Sequence, residues 1–260
     1  MLFQIPRARQ RPDAPVSAFS PRPTLRSAKP PRFIAAEGAP RLPAHLPPHS
    51  QGMRIGLFGG SFNPPHDGHL LVSRIALSKL GLDRVWWIVT PGNPLKEISG
   101  LPPLAARMDA ARRIGDHPQI DITGFEAEIG TRYTYDTISY LTRRCPGVDF
   151  VWLMGADNLA QFHRWQHWQD IANLVPVAVI DRPGSTLKAV HSRAGQYLAR
   201  YRYGENEARL LARGQTPAFI FLHGRRSETS STQLRQAGAG LSATSPASIG
   251  QSSLLKRRVE

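Results

Sequence analysis

The chain has 260 residues, a net charge of +14, 41% hydrophobic residues and a single cysteine, Cys145. One cysteine excludes an intramolecular disulfide and fits a reducing compartment, so a cytoplasmic location is expected. No apolar run approaches the roughly 20 residues that span a bilayer, and the length suits one domain with tails.

The charge is uneven. Residues 1–52 carry eight Lys/Arg against Asp13 and Glu37, and residues 236–260 carry Lys256, Arg257 and Arg258 against Glu260. The interior keeps a moderate positive excess, which suits phosphorylated substrates. Nucleic acid and membranes are not expected as partners, and oligomeric state is not legible. Residues 1–52 also hold eleven of the 23 prolines without sustained periodicity. Such a segment cannot bury enough surface to offset its ordering entropy, so disorder is expected there. Its proline density opposes the amphipathic helix of a transit peptide. A dispensable extension, an upstream start ahead of Met53 and a nucleic-acid-binding arm remain as readings. The expected organisation is an extension over 1–52, a domain over 53–240 and a flexible tail over 241–260.

From Arg54 to Phe58 the apolar run reads as a buried strand, and Gly59-Gly60-Ser61 releases it into a turn. Val72, Ile75, Ala76 and Leu80 then recur at helical spacing, and Gly81 supplies a stop. Arg84 to Thr90 reads as a second strand buried on both faces. A loop, Pro91 to Lys96, follows. Leu104, Met108 and Ala111 mark a helix to about Gly115, and Gln119 to Thr123 a third strand. Phe125 to Ile129 alternates apolar and acidic residues and reads as a short extra strand. Thr134 to Arg144 reads as a helix ended by Pro146-Gly147. Phe150 to Met154, Val175 to Ile180 and Phe219 to Leu222 read as the fourth, fifth and sixth strands. A helix is expected to begin near Trp165, ahead of Asp170, Ile171 and Leu174, and Ser230 to Arg235 opens a final short one. Strands alternating with helices predict an α/β fold with a doubly wound, mostly parallel sheet. Ligands bind such sheets beyond the carboxyl ends of the strands, where strand order reverses. A 3-2-1-4-5 order would set the Gly59–His69 turn opposite the Gly155–Asn158 turn.

The first turn ends in His66-Asp67-Gly68-His69 at the start of a helix. Glycines let the main chain approach a ligand, a helix N-terminus suits phosphate, and imidazoles can donate to phosphate oxygens. The plain alternative is a capped helix with two incidental surface histidines. Ser230-Ser231-Thr232 with Arg235 sets hydroxyls at a helix start and a guanidinium one turn on, which caps a helix or clamps phosphate.

The pattern Gly59-Gly60-x-Phe62-x-Pro64-x-His66-x-Gly68-His69, paired with the Ser-Ser-Thr-x-x-Arg stretch, resembles the two signatures of the nucleotidyltransferase superfamily related to class I aminoacyl-tRNA synthetases. Tyr133 to Thr137, Gly155-Ala156-Asp157-Asn158 and Phe162-x-x-Trp165-x-x-Trp168 resemble bacterial nicotinate-nucleotide adenylyltransferases, in that family's order, over roughly Met53 to Arg235. Two positions depart from the pattern: Asn63 where many relatives carry Asp, and Thr229 where an apolar residue is usual.

The resemblance implies a Rossmann-like nucleotidyltransferase fold and transfer of the adenylyl group of ATP to nicotinate mononucleotide. His66 and His69 are then the catalytic candidates. Gly60, Ser61, His66, His69, Ser231, Thr232 and Arg235 would bind the phosphates of ATP. Phe62, Lys96, Thr134 and Trp165 would bind the acceptor, with the Trp165 ring on nicotinate. Gly155 and Asp157 would lie against nucleotide, though Asp157 could simply cap its helix. Mg²⁺ would travel with ATP, with no dedicated metal ligands in the chain. The alternatives are a sister adenylyltransferase using nicotinamide mononucleotide or phosphopantetheine, and a non-catalytic nucleotide- or RNA-binding protein.

Overall fold

A computed structural model describes residues 44–92, 100–181 and 186–223 of the chain. Its centre is a seven-stranded, wholly parallel sheet in the order β3-β2-β1-β4-β5-β7-β6. The strands are β1 (Arg54–Gly60), β2 (Arg84–Val89), β3 (Ile120–Thr123), β4 (Asp149–Gly155), β5 (Val177–Ile180), β6 (Arg202–Tyr203) and β7 (Phe219–Leu222). The expected 3-2-1-4-5 order is present, so chain order reverses between β1 and β4. Both ends of β1 are in register with its neighbours: Ile55 lies beside Arg84 and Phe150, and Phe58 beside Trp87 and Leu153.

Period-two geometry sends alternate residues of each strand to opposite faces, and both faces are covered. Ile55, Leu57, Trp86 and Trp152 pack on one face against α3 (Phe125–Ile129), α4 (Thr134–Arg144), α5 (Ala156–Gln161), α6 (Trp168–Leu174) and α8 (Arg193–Leu198). Phe58, Trp87, Val151 and Leu153 pack on the other against α1 (Asp67–Leu80), α2 (Leu104–Ile114) and a 3₁₀ segment, Glu205–Arg213. A short helix α7 (Thr186–Val190) precedes α8. Of the α1 stripe predicted from Val72, Ile75, Ala76 and Leu80, all but the half-buried Ile75 are buried, and Gly81 ends that helix with φ +64°. This left-handed value is one that glycine adopts without a Cβ penalty.

Four expectations are corrected. Phe125–Ile129 is a helix rather than a strand, with Gly130 at φ +70° as its stop. Glu126 is buried and Ala127 exposed, the reverse of what an apolar-in strand needs. The helix expected near Trp165 begins at Trp168, because His167 takes a left-handed conformation (φ +53°) as its N-cap. The strand read as sixth is β7, preceded in the chain by the two-residue β6. Finally, residues 44–52 pack on the domain that was expected to start at Met53. Ala44 is buried, Leu46 packs beside it, the His49 ring meets Trp86 edge-on, and Gly52 N–H donates to Gly147 O at 2.7 Å. Ser230–Arg235 lies outside the described residues.

Candidate active site

Strand β1 ends in two glycines, expected from the sequence to form a turn but still paired with β2, and each is bare for a different neighbour. A Cβ on Gly59 would lie 2.7 Å from Cη2 of Trp152, and one on Gly60 would lie 3.3 Å from the Phe62 ring. The first distance is a collision with a rigid, buried indole. Gly59 is therefore required by the protein's own packing, a reason that the motif alone did not reveal.

Phe62 follows at φ +46°, in the left-handed region that bulky residues rarely occupy. Holding such a residue there costs on the order of 1–3 kcal/mol and needs surroundings that fix it. Those surroundings are aromatic. The ring, only 1% exposed, stacks on Trp87 with centroids 5.0 Å apart and lies 4.7 Å from the His69 ring. So placed, the Phe62 ring is spent on packing against Trp87 and His69.

Arg107 on α2 secures the same turn. Its guanidinium, on a residue only 1% exposed, donates from Nη1 to Ser61 O and Thr90 O, each at 2.8 Å, and from Nε to Pro102 O at 2.9 Å. Burial lowers its pKa, but an arginine starts so high that it stays charged. The cation thus ties the end of β1 to the end of β2, where Thr90 N–H also donates to Gly60 O at 3.0 Å. The sequence reading passed over Arg107. Its signal was there: it falls at the i+3 position of the apolar stripe Leu104, Met108 and Ala111.

His66 and His69 are neither incidental nor on the surface, being 4% and 8% exposed. They form a reciprocal cap on α1. His66 Nδ1 accepts from Gly68 N–H at 3.1 Å, and His66 N–H donates to His69 Nδ1 at 3.2 Å. His69 N–H donates to His66 O at 2.8 Å. The cap consumes two N–H groups of the first turn that the sequence reading had reserved for an anion. Accepting at Nδ1 leaves Nε2 as the proton-bearing nitrogen of a neutral His66 ring, whereas His69 Nδ1 also lies 3.3 Å from His66 O, so its role depends on the tautomer. The two rings lie 3.9 Å apart, centroid to centroid.

Across the switch point, β4 ends at Gly155 and α5 begins directly at Ala156, with Asp157 exposed in its first turn. Trp165 is half-buried at the end of a 3₁₀ turn (Phe162–Arg164). Its ring meets Phe162 edge-on at 5.3 Å and Trp152 at 6.1 Å. Trp152, another residue that sequence reasoning missed, therefore touches both the glycine turn and the opposite wall. Thr134 opens α4, and the neighbouring Tyr135 ring lies 4.8 Å from that of His167, two residues beyond Trp165. The fold thus brings the segments bearing Thr134 and Trp165 together. Trp165 N–H is committed to Phe162 O at 3.0 Å, so it is not among the helix-start donors expected there. Lys96, Ser231, Thr232 and Arg235 lie outside the described residues. Among the described residues, no group of three or more His, Cys, Asp or Glu is arranged to hold a metal ion. No helix among them is long and apolar enough to cross a membrane.

Comparison with known proteins agrees with this architecture. Residues 57–237 match the family model described as cytidylyltransferase-like. A protein of Methylorubrum extorquens named "Probable nicotinate-nucleotide adenylyltransferase" is 58% identical over 183 residues, covering 70% of this chain and 99% of the relative. One of the same name from Mesorhizobium japonicum is 52% identical, covering 74% of this chain and all of the relative. Among solved structures, nicotinic acid mononucleotide adenylyltransferase of Plasmodium falciparum complexed with NaAD superposes with a TM-score of 0.53 at 15% identity. That match covers 71% of this chain and 83% of the other, and it speaks to the fold alone. By sequence, the chain belongs to the nicotinate-nucleotide adenylyltransferase family.

Proposed function

We propose that the chain transfers the adenylyl group of ATP to nicotinate mononucleotide. A phosphate oxygen of the mononucleotide attacks the α-phosphorus of ATP. The bond from that phosphorus to the bridging oxygen breaks, and pyrophosphate leaves with the bonding electrons. Nicotinate adenine dinucleotide is the second product. Both reactants are already ionised, so no protein nucleophile or general base is needed. Positioning and stabilisation of charge on the phosphoryl oxygens carry the catalysis.

The observation that carries this reading is the buried histidine pair, fixed by mutual capping at the sheet's switch point. In it, His66 and His69 are the catalytic residues, presenting Nε2–H to the phosphates of ATP. Gly60 and Ser61 line the same path through their main chain, and Ser231, Thr232 and Arg235 bind the triphosphate from the far C-terminal stretch. Trp165 covers the pyridine, Thr134 and the Phe62 backbone border it, and Lys96 reaches the acceptor phosphate. Gly155 and Asp157 face nucleotide. Mg²⁺ enters as part of the MgATP substrate, held largely by phosphate and water oxygens. The domain is proposed to start no later than Ala44 and to extend to about residue 240, just past the family match.

Pyrophosphate release from MgATP tests the reading, with nicotinate mononucleotide, phosphopantetheine or no acceptor supplied to the full chain. Release is expected only with the mononucleotide. Release with phosphopantetheine alone, or none at all, would overturn it.

A further inference from the structure

Glu126, on α3, is a carboxylic acid only 5% exposed, and the chemistry proposed above does not use it. Its Oε1 accepts from the Thr137 hydroxyl at 2.6 Å, and the Thr90 hydroxyl lies beside the same carboxyl. Its main-chain carbonyl accepts from Thr131 N–H at 3.0 Å. Its Oε2 is buried and makes no hydrogen bond among the described residues. Burial raises its pKa, which favours the neutral, protonated acid. A buried carboxyl is costly where an apolar side chain would pack. Its connections say what it does there.

Thr137 stands in the first turn of α4, and its one O–H, given chiefly to Glu126, also lies 3.2 Å from Tyr133 O, the carbonyl just ahead of Thr134. Thr131 belongs to the same approach, its hydroxyl donating to Asp136 at 3.0 Å and accepting from Tyr133 N–H at 3.2 Å. On the other side, Thr90, just past β2, is tied through its main chain to Gly60 and Arg107, and its hydroxyl donates to Gly92 O at 3.2 Å. Glu126 thus joins α3, which packs on the sheet through Phe125, to the helix start that bears Thr134.

We propose that Glu126 is a positioning residue for the acceptor: through the Thr137 hydroxyl it fixes the first turn of α4, and with it the Thr134 side of the acceptor pocket. This rests on the nicotinate mononucleotide reading given above. Removing the carboxyl leaves α4 with its own helical hydrogen bonds and its apolar packing but without this hydrogen bond to α3. The acceptor pocket loosens while the histidine turn, held by Arg107, does not.

The test is steady-state kinetics on the full chain, with both substrates varied, for the wild type and for Glu126→Ala, Glu126→Gln and Thr137→Val. Melting temperatures are taken alongside. Glu126→Ala is expected to raise KM for nicotinate mononucleotide about tenfold, the effect of one buried hydrogen bond. KM for MgATP should stay within about twofold, since that half of the site is untouched. Thr137→Val, which keeps the shape and loses the hydroxyl, should shift the acceptor KM in the same direction. Glu126→Gln should restore it, because the amide keeps the accepting oxygen and places NH₂ where the protonated acid has O–H. An unchanged acceptor KM in folded Glu126→Ala and Thr137→Val, or an equal rise in both KM values, would overturn the proposal. So would a Glu126→Gln enzyme as impaired as Glu126→Ala. If Glu126→Ala fails to fold, the Thr137→Val split decides. A wild type inactive with nicotinate mononucleotide defeats the underlying function reading instead, before any variant is compared.

Discussion

On the β1 side of the crevice, the consecutive stretch Gly59 to His69 holds the strand end, the strained Phe62 and both histidines. On the β4 side, the wall is gathered from the start of α4, the end of β4 and the loop that carries Trp165, segments far apart in the chain. The first side is rigid through local covalent geometry, with a buried cation, Arg107, fastening it to β2. The second is held by aromatic edges between Trp152, Phe162 and Trp165 and by the buried carboxyl of Glu126. A contiguous, over-determined turn suits groups that must not move while bonds change. A wall assembled from separate elements suits the recognition of one acceptor among similar ones. Changes in the turn should therefore lower turnover, and changes in the wall should weaken acceptor binding.

The largest effect is expected at the turn. His69→Ala removes one preorganised donor, and kcat should fall on the order of 100- to 1,000-fold. One half of the α1 cap, the His66 N–H to His69 Nδ1 bond, is lost with it, so the melting temperature should be measured as well. Near-normal kcat in the folded variant would take the histidine out of the chemistry.

Gly59→Ala sharpens the comparison because it strikes both sides at once. The new methyl would meet Trp152 at 2.7 Å, and overpacking of this kind costs about 1–3 kcal/mol. A lower melting temperature together with a higher acceptor KM is the expected result. Unchanged stability would mean that the Trp152 ring moves aside freely.

Trp165→Ala should act on the wall alone. The loss of aromatic stacking is worth about 0.5–1.5 kcal/mol, so acceptor KM should rise severalfold while KM for MgATP holds. A matching rise in both would erase the division between the two sides.

The smallest effect is expected far from either side. A chain starting at Met53 loses the packing of Ala44, Leu46 and His49. It should melt a few degrees below one starting at Pro43, a shift corresponding to roughly 1 kcal/mol. Identical melting curves would show that this packing adds nothing to stability.

Much of this was legible because its signals are local. The apolar runs of β1, β2 and β4 are continuous, α1 shows its stripe and its glycine stop, and the histidine turn is uninterrupted in the chain. What escaped depends on contacts between distant residues. Phe125–Ile129 alternates like a strand, and only the partnership of Glu126 with Thr137 makes an inward acid tolerable in a helix there. The two residues of β6 are too few for any period to register. His167 delays α6 by adopting a left-handed conformation that no sequence pattern demanded of it. Gly59 was read as room for a ligand, but its missing side chain makes room for Trp152.

The most direct measurement is kcat/KM for nicotinate mononucleotide against nicotinamide mononucleotide under one set of conditions. The two differ only as carboxylate and carboxamide, so the ratio reads the wall and leaves the turn unchanged. In the proposed pocket a carboxylate would accept from main-chain N–H donors in the segment between Trp165 and α6, whereas an amide would present its own donor to at least one of them. A buried donor left unpaired costs on the order of 1–3 kcal/mol, which corresponds to a preference of about five- to 150-fold for the acid. The account predicts a preference for nicotinate mononucleotide in that range. Equal values, or a preference for the amide, would contradict it.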